Sequence, residues 1–469
     1  MNQIDEWLKQ AGDLANEDKV DEAADMASRV LMLEPDNFKA LFVIGSVMLK
    51  VGRNVQAQQF LRRVAELRPA AHQSWGNLAI SCGEMHRYEE SIGFAEKAIK
   101  CKISGKKNPD PKVECDDWCR VYADASFAHS TGGNWAKGAE YARKALSFDP
   151  QFKDAIFHLA TCNLALQNWV EGWAGFKVSE GGKWRKLFTY GDTKEWMGEP
   201  DAIVMVTGEQ GLGDEVIAAG MIPDAIRACT KFIFDCDKRI AALFERSFPE
   251  AIVVPMRQAK TVALPIMPTH HKTLFGLGQL FRTTNASFPR APYLVPNPDY
   301  LRMFRELFGN RRMVGVAWSG GYPRTGQVER TAGLSSFLPL FQGEKDATYL
   351  SLQYRDDAAE IVEFEQKTGC KIMRLPWVMG NADIDLLAAC IAALDEVVGV
   401  HTTALHLSSA MGVPTTTLTH RGSGWRYYPD EMLWYPPTTR LWKKDRGESW
   451  RECVGQLTRH RRERQRAAA

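Results

Sequence analysis

The chain has 469 residues, of which 45% are hydrophobic and 25% charged. This composition is typical of a globular protein, and the length favours two or three domains. The 59 basic and 57 acidic side chains nearly cancel, so no overall charge selects nucleic acid or an anionic membrane. We therefore expect no nucleic-acid partner, and we interpret the basic segment 459–466 as a solvated helix end.

Export and membrane insertion are not expected. No stretch approaches eighteen consecutive apolar residues, and the N-terminus lacks a basic region followed by an apolar one. The nearest cysteine pairs, Cys115/Cys119 and Cys229/Cys236, lack a second pair at zinc-ribbon spacing. We expect reduced thiols, a cytoplasmic location and no integral membrane segment.

Helical repeats are predicted over residues 1–180. Pro35 and Pro69 close two similar segments, and their separation, 69 − 35 = 34, is the period of tetratricopeptide (TPR) helix pairs. Pro150 closes a later unit after 81 residues, two periods plus thirteen, so CKISGKKNPDPK (101–112) is predicted to be a loop insertion. Trp169 and Trp173, in the last helix pair, are expected to cap the open end of the solenoid.

Helix-pair arrays coil into concave surfaces suited to peptides. We therefore expect a protein or peptide acceptor on the concave TPR face. Repeats that form only a stacked core are the alternative.

Strands alternating with helices begin near Asp201, which predicts parallel sheets covered on both faces. Prolines at positions 289, 292, 296 and 298 separate two groups of strands. The predicted fold class is thus α plus α/β, with a TPR helical solenoid followed by two doubly wound, Rossmann-like lobes. The lobes span residues 200–300 and 301–469, and the second ends in a helix and the basic tail.

The segment GEQGLGDEVIAAG (208–220) is predicted to be the first strand-to-helix turn of the first lobe. Such turns face the ligand crevice at the carboxyl ends of the strands. Gly211 and Gly213 permit a tight turn and leave space beside it. Asp214 is either a helix cap or a carboxylate that accepts a proton from an attacking hydroxyl. The glycine spacing differs from G-x-G-x-x-G, which disfavours a nicotinamide site.

A second strand–turn–helix segment, LDEVVGVHTTALHLSSAMGVPTTTL (394–418), lies in the second lobe. Thr402 and Thr403 come at the helix start, where hydroxyls and free backbone N–H groups hold anions. His406 lies on the same helix face as Thr402, with His401 on the preceding turn. A purely structural role for His406 is the alternative.

Five segments in order resemble a known family: GEQGLGDE, VGVAWSGG, LSLQ, AALDEVVGVHTTALHLSSAMGVP and GWRYYPDEMLWYPPTTRLW. They look like the bacterial TPR glycosyltransferases. The catalytic region of that family is similar to the lipopolysaccharide heptosyltransferases and, more distantly, to the O-linked N-acetylglucosamine transferases. The resemblance covers nearly the whole chain. It implies a GT-B architecture, in which the acceptor binds to the first lobe and the nucleotide sugar to the second.

The resemblance also implies roles for individual residues. Asp214 matches the general base, and Thr402, Thr403 and His406 match the segment that binds the donor diphosphate. His401 stands where the family usually has an aspartate. Because this change replaces a carboxylate by an imidazole, it bears on the sugar accepted and on whether the enzyme is weakened.

Arginine and aromatic side chains complete the predicted donor site. Arg324 and Arg330 follow the predicted strand that ends at Trp318, and arginine suits bidentate phosphate contact. Solvent-facing loop arginines are the alternative. Trp425, Arg426 and Tyr427 offer flat surfaces for a nucleobase or sugar, although aromatic packing between lobes would give the same pattern.

The sequence therefore predicts an inverting, metal-independent glycosyltransferase that moves a sugar from a nucleotide-sugar donor to a hydroxyl of a protein or other large acceptor recruited by the repeats. We identify no Asp-x-Asp pair suited to a catalytic metal beside a predicted strand end, and we expect no cofactor. One alternative is a non-catalytic TPR scaffold with a degenerate glycosyltransferase-like domain. Another, a dinucleotide-dependent oxidoreductase, is disfavoured by the glycine spacing.

Overall fold

The computed structural model describes residues 3–180, 190–255, 264–321, 330–379, 383–420, 422–428, 430–445 and 447–468. The chain divides into two compact units, Met1–Leu166 and Gln167–Ala469. The repeats were predicted to extend to residue 180, so the observed division lies earlier in the chain. Unit 1 is helical, and unit 2 contains two parallel sheets.

Unit 1 is an array of helix pairs. Its helices are α1 (Gln3–Asn16), α2 (Val20–Leu33), α3 (Phe38–Lys50), α4 (Asn54–Leu67), α5 (His72–Glu84), α6 (Tyr88–Ser104), α7 (Pro111–Thr131), α8 (Trp135–Leu146) and α9 (Lys153–Ala165). Each odd-numbered helix up to α7 packs on the next helix in the chain, and successive odd-numbered helices also contact one another. These pairs form the predicted TPR-like solenoid, in which each helix pair contacts the next.

Small residues let the paired helices approach closely. A Cβ atom at Gly45 would lie 2.8 Å from Cγ of Leu61, which is fully buried. Each apolar cluster joins neighbouring helix pairs, as in the group Ala11, Ala27, Val30, Ala40 and Ile44. The core is therefore a chain of nearest-neighbour contacts, as expected for a solenoid.

The insertion after the third pair is only partly a loop. Helix α6 continues to Ser104 and α7 begins at Pro111, capped by the Asp110 side chain, which accepts from the Lys112 N–H at 2.9 Å. The Lys102 ammonium is buried and pairs with Glu114 at 2.8 Å and Asp117 at 3.1 Å. A buried ammonium requires such partners. Residues 101–104 and 111–112 of the predicted loop are thus helical, and residues 105–110 join the two helices.

The first sheet of unit 2 is built from β1–β5. In chain order this region contains α10 (Trp169–Phe176), β1 (Lys194–Glu195), β2 (Ile203–Thr207), α11 (Leu212–Ala219), α12 (Ile222–Arg227), β3 (Lys231–Asp235), α13 (Ala241–Ser247), β4 (Ile252–Val254), β5 (His270–Thr273) and α14 (Gly278–Phe281). The strands are parallel in the order β1-β5-β2-β3-β4. The chain therefore reverses its direction of winding between β2 and β5.

The second sheet is built from β6–β11. This region contains α15 (Pro298–Phe308), β6 (Arg312–Ala317), α16 (Leu338–Gly343), β7 (Ala347–Ser351), α17 (Ala358–Thr368), β8 (Ile372–Met373), α18 (Pro376–Met379), α19 (Ile384–Ala392), β9 (Glu396–Val400), α20 (Thr403–Ala410), β10 (Thr415–His420), β11 (Thr439–Lys444) and α21 (Trp450–Ala468). The parallel order β11-β10-β9-β6-β7-β8 is the 3-2-1-4-5-6 order of Rossmann folds read from the other edge. Its reversal point lies between β6 and β9.

Helix α10 belongs to unit 2. The Trp173 indole N–H donates to the Arg282 carbonyl at 2.8 Å, and the Trp169 indole N–H donates to the Asn285 side chain at 2.7 Å. A Cβ atom at Gly278 would lie 2.4 Å from Cε2 of Trp173, so only glycine leaves room for this ring. The two tryptophans therefore pack within unit 2, which corrects the expectation that they cap the solenoid.

The C-terminal helix α21 is held to the second sheet by charge. Arg461 pairs with Glu344 at 2.6 Å and also with Glu396, while residues 462–464 are exposed.

The ten cysteines are free thiols. None of the helices in the described part of the chain is both long and apolar enough to cross a membrane.

Candidate functional site

The reversal points of the two sheets meet in unit 2. Residues 208–211 follow β2 and lead into α11, and residues 401–402 follow β9 and lead into α20. A Cβ atom at Gly213 would lie 2.9 Å from the His406 ring and 3.7 Å from the Thr403 hydroxyl. Ligands of doubly wound sheets bind at such carboxyl-end reversal points, so this crevice is the candidate site.

The glycines of the first turn act through close approach rather than backbone freedom. Gly211 is extended, with φ −103°, whereas the left-handed residue is Gln210, with φ +64°. Gly213 is required because the His406 ring occupies the space where a side chain would lie. A non-glycine residue at positive φ stores strain, and here that strain lies two residues before α11 begins.

Asp214 lies in the first turn of α11. Its carboxylate accepts from the Gly211 backbone N–H at 3.1 Å and lies 3.3 Å from the Arg426 guanidinium, with 32% of the side chain exposed. The side chain therefore caps the helix and also faces the crevice. The two interpretations of Asp214 are geometrically compatible, and its role as a base stays a prediction.

Arg426 connects the two sheets' loops. Its guanidinium lies 4.5 Å from the Phe275 ring centroid and 4.8 Å from that of Trp425, and it donates to the Gln210 side chain at 3.1 Å. Aromatic faces stabilise such a cation. Its Nε atom is buried and has no hydrogen-bond partner among the described residues.

Trp425 is enclosed by other aromatic rings. It is 6% exposed and makes edge-to-face contacts with Trp173, Phe176 and Phe275 at centroid distances of 5.6, 5.7 and 6.2 Å. Trp434 also packs on it, at 6.0 Å. This environment favours the packing alternative for Trp425 over a surface for a nucleobase.

The second turn presents unpaired polar groups. Thr402 is the N-cap residue of α20 but makes no side-chain cap bond, and its buried hydroxyl has no partner in the described chain. The buried Thr207 hydroxyl, at the end of β2, is also unpaired there. Buried polar groups without partners are rare and costly, so their clustering at this crevice indicates a ligand site.

His406 has hydrogen-bond partners on both ring nitrogens. Nδ1 lies 2.8 Å from the Tyr435 hydroxyl and Nε2 lies 3.0 Å from the Tyr427 hydroxyl. Burial lowers the pKa of His406 to about 4; Arg330 and Arg426 also lower it, and Asp214 opposes them. The ring is therefore neutral near pH 7, and both of its nitrogens are hydrogen-bonded to protein groups. A direct contact with a diphosphate would break one tyrosine bond, and its role in donor binding stays a prediction.

The His401 ring is held in place, but one of its nitrogens has no hydrogen-bond partner among the described residues. Its ring stacks on Tyr427 with centroids 3.9 Å apart and planes 8° apart, and its carbonyl accepts from Arg330 at 2.9 Å. Nε2 is buried without a hydrogen-bond partner in the described residues, as is Nε of Arg330. Burial, together with the charges of Arg330, His420 and His406, holds the pKa of His401 well below 6.5.

Several residues that shape the site were not predicted. Glu209 is buried and accepts from the Phe275 N–H at 2.8 Å, which joins the segments that follow β2 and β5. Gln353, oriented to satisfy its neighbours, accepts from the Trp318 and Ser319 N–H groups at 2.6 and 2.9 Å. Both lie in segments that carry the family resemblance, which was the available signal. Tyr435 lies in a third such segment, GWRYYPDEMLWYPPTTRLW, and Arg324 lies outside the described residues.

The carboxylates of Asp235 and Asp237, near the first sheet, bind other protein groups. An Asp-x-Asp pair does follow β3: Asp235 accepts from the Tyr190 hydroxyl at 2.5 Å, and Asp237 pairs with Arg239 at 2.7 Å. The expectation that no Asp-x-Asp pair lies beside a strand end is therefore wrong, and both carboxylates of this pair contact protein groups. Within the described ranges, no group of three His, Cys, Asp or Glu side chains is placed to hold a metal ion.

Comparisons with known proteins give one similarity over most of the chain. No protein-family model matches the sequence. Protein FlbA of Caulobacter vibrioides is 24% identical over 480 residues, covering 93% of this chain and 74% of that protein. The Hsp70-Hsp90 organizing protein of Triticum aestivum is 26% identical over 106 residues, covering 23% and 16%. The similarity to FlbA thus includes both units, and that to the wheat protein only a part.

Solved structures match over a smaller part of the chain. PilW, a type IV pilus biogenesis factor, has a TM-score of 0.32 at 19% identity, covering 38% of this chain and 77% of that one. A MamA protein has a TM-score of 0.29 at 17% identity, covering 38% and 89%. The description of unit 1 as a solenoid therefore rests on its own helix pairs and repeat period.

Proposed function

We propose that this chain is an inverting, metal-independent glycosyltransferase of GT-B type. It would transfer a sugar from a nucleotide-sugar donor to a hydroxyl of a protein or other large acceptor recruited by the TPR-like repeats. The observation that carries the proposal is the meeting of the two reversal points: the Asp214 turn contacts α20. Among the described residues, buried side-chain atoms of Thr207, His401 and Thr402, on the two turns, have no hydrogen-bond partner.

Asp214 is the proposed general base. The acceptor hydroxyl oxygen attacks the anomeric carbon from the face opposite the nucleotide, and its proton passes to the Asp214 carboxylate. The bond from the anomeric carbon to the phosphate oxygen breaks, and its electron pair stays on that oxygen. Arg426 lies 3.3 Å from this carboxylate and is positioned to hold it in the crevice.

The departing phosphate is proposed to bind at the start of α20. The Thr402 and Thr403 hydroxyls, the free backbone N–H groups of the first helical turn and Arg330 lie there. Such groups stabilise the negative charge that develops on a leaving phosphate. Arg330 contributes through Nε, since one Nη atom already donates to the His401 carbonyl.

Recruitment of the acceptor is proposed for unit 1. The contacts among its odd-numbered helices indicate a curved array with an inner face, and such faces bind extended peptides. In this proposal the acceptor is a protein, and the nucleotide sugar binds only to unit 2.

The decisive experiment is single-turnover transfer by Asp214→Asn in the full chain at saturating donor. The donor is first chosen by thermal-shift screening against UDP-, GDP-, ADP- and CMP-sugars, since a ligand of the native state raises apparent stability. Asparagine caps helices about as well as aspartate but does not accept the proton. We expect transfer to fall by about 10²- to 10⁴-fold with donor affinity unchanged.

A matched control comes from Asp383, which caps α19 by accepting from the N–H groups of Asp385 and Leu386 at 3.0 and 3.1 Å. Asp383→Asn makes the same chemical change at a helix cap and should leave transfer within a fewfold of wild type. Glu215 is unsuitable as a control because it is fully buried and accepts from the Asp237 N–H at 3.1 Å. Transfer by Asp214→Asn within a fewfold of wild type would contradict the base assignment.

A non-catalytic scaffold is the second candidate, and His401 in the place of the family's aspartate favours it. A scaffold with a degenerate site would give no thermal shift with any nucleotide sugar and no transfer. A donor-induced shift together with slow release of free nucleotide would instead favour the enzyme.

A further inference from the structure

His401 and His406 lie close together but differ in what their rings contact. Both nitrogens of His406 have tyrosine partners at 2.8 and 3.0 Å. Nε2 of His401 is buried and has no hydrogen-bond partner among the described residues. The residue as a whole is only 6% exposed. The residue that departs from the family pattern is therefore the one with an open hydrogen-bonding position.

The position of the His401 ring is fixed by its surroundings. Tyr427 covers one face at a centroid distance of 3.9 Å, and Arg330 holds the backbone carbonyl at 2.9 Å. A Cβ atom at Gly320 would lie 2.7 Å from that carbonyl oxygen and 2.9 Å from the Thr402 methyl group. Since backbone and ring are both held, Nε2 is presented in a fixed place.

The groups around this nitrogen suit an anion. Arg330, from the segment after β6, and His420, from the end of β10, both lower the pKa of His401, whereas His406 is itself neutral near pH 7. The adjacent Thr402 hydroxyl is unpaired in the described chain. An anion placed among these groups would reverse the local electrostatics, because a negative charge next to an imidazole favours its protonated form.

We propose that His401 binds a phosphoryl oxygen of an anionic ligand through Nε2 and takes up a proton from solvent as that ligand arrives. The inference rests on the proposed function, in which the anion is the phosphate portion of a nucleotide sugar. The resulting imidazolium donates a charge-assisted hydrogen bond and adds positive charge only when the donor is present. His401 would thus replace the family's aspartate by a cation that forms on binding.

The test uses inorganic pyrophosphate and the full chain labelled with ¹⁵N-histidine. Near neutral pH, pyrophosphate should convert the His401 ring signals from the neutral to the imidazolium form. His401→Gln assigns those signals by their loss, and sodium chloride at equal ionic strength is the comparison. Calorimetry across pH should show that wild-type affinity falls as pH rises, because binding takes up a proton.

His401→Gln keeps a hydrogen-bonding group but cannot become charged, so it should bind pyrophosphate about 10- to 100-fold more weakly. The affinity of this variant for pyrophosphate should also depend less on pH. Comparing the two pH profiles cancels the contribution from protonation of pyrophosphate, which is the same for both proteins. His270→Gln makes the same change at the amino end of β5 and should bind like wild type. His401→Asn, with melting temperatures for all variants, separates loss of binding from loss of fold.

Three results would overturn the inference: pyrophosphate binds while His401 stays neutral, folded His401→Gln binds as tightly as wild type, or pyrophosphate does not bind. The proposed function fails separately. Sugar transfer that depends on Asp214 while His401 stays neutral removes only this inference. Protonation of His401 by pyrophosphate without transfer from any nucleotide sugar removes only the glycosyltransferase.

Discussion

Deleting α10 should unfold unit 2, although this helix lies in the range predicted to belong to the repeats. Trp169, Trp173 and Phe176 are 5, 2 and 3% exposed. Replacing one such buried ring by alanine costs about 3–5 kcal/mol, so losing three removes about 10 kcal/mol. Because a domain is stable by only about 5–15 kcal/mol, a chain of residues 190–469 should be largely unfolded, whereas residues 167–469 should fold.

Urea unfolding followed by circular dichroism measures this difference. The fragment 167–469 should show one cooperative transition, and 190–469 should show none or a much lower midpoint. Trp173→Ala in 167–469 should fall between them, about 3–5 kcal/mol less stable than its parent. Equal urea midpoints for the two fragments would refute the assignment of α10 to the core of unit 2.

Four further substitutions test particular positions. Gly213→Ala should destabilise the protein by about 1–3 kcal/mol, because the new Cβ would lie 2.9 Å from the tyrosine-bound His406 ring. Gly211→Ala should cost less, because its Cβ would lie 3.3 Å from the flexible Asp214 carboxylate. Urea unfolding midpoints compare the two variants. Gly278→Ala should lower the urea midpoint more than either, since Trp173 lies 2.4 Å away and is fully packed. Burial raises the pKa of Asp124 to about 7 from 3.8, so the folded state holds a proton that the unfolded chain loses, and stability falls as pH rises through this window. Asp124→Asn should remove that loss and be more stable than wild type above pH 7 by about 4 kcal/mol, a gain that should vanish in acid; equal pH profiles in urea unfolding would contradict it.

Sequence periodicity predicted which helices and strands form, but not always which of them pack together. The 34-residue spacing of Pro35 and Pro69 indicates helix pairs, and the helices α1–α9 are arranged as pairs. Alternating strands and helices indicated parallel sheets, and both sheets are parallel. Local pattern did not show that α10 packs against α14, because an amphipathic helix looks the same whichever surface it covers.

The site was predictable in position but less so in detail. The two turns follow apolar strands, and ends of parallel strands collect at one edge. Which imidazole nitrogen is left open depends on Tyr427 and Tyr435, which lie 21 and 29 residues from His406 in the sequence. Similarly, Gly213 was explained by turn geometry, whereas the structure explains it by a ring from the other sheet.

Tyr427 gives the crevice a mechanical connection between its two sides. Its ring lies against His401, its hydroxyl bonds to His406, and the His406 ring fills the space beside Gly213, the residue before Asp214. Three successive contacts therefore join the His401 ring to the Asp214 turn, and a ligand that displaced this ring would also displace the turn. In the proposed reaction, ligand binding on the second sheet and carboxylate orientation on the first would then change together.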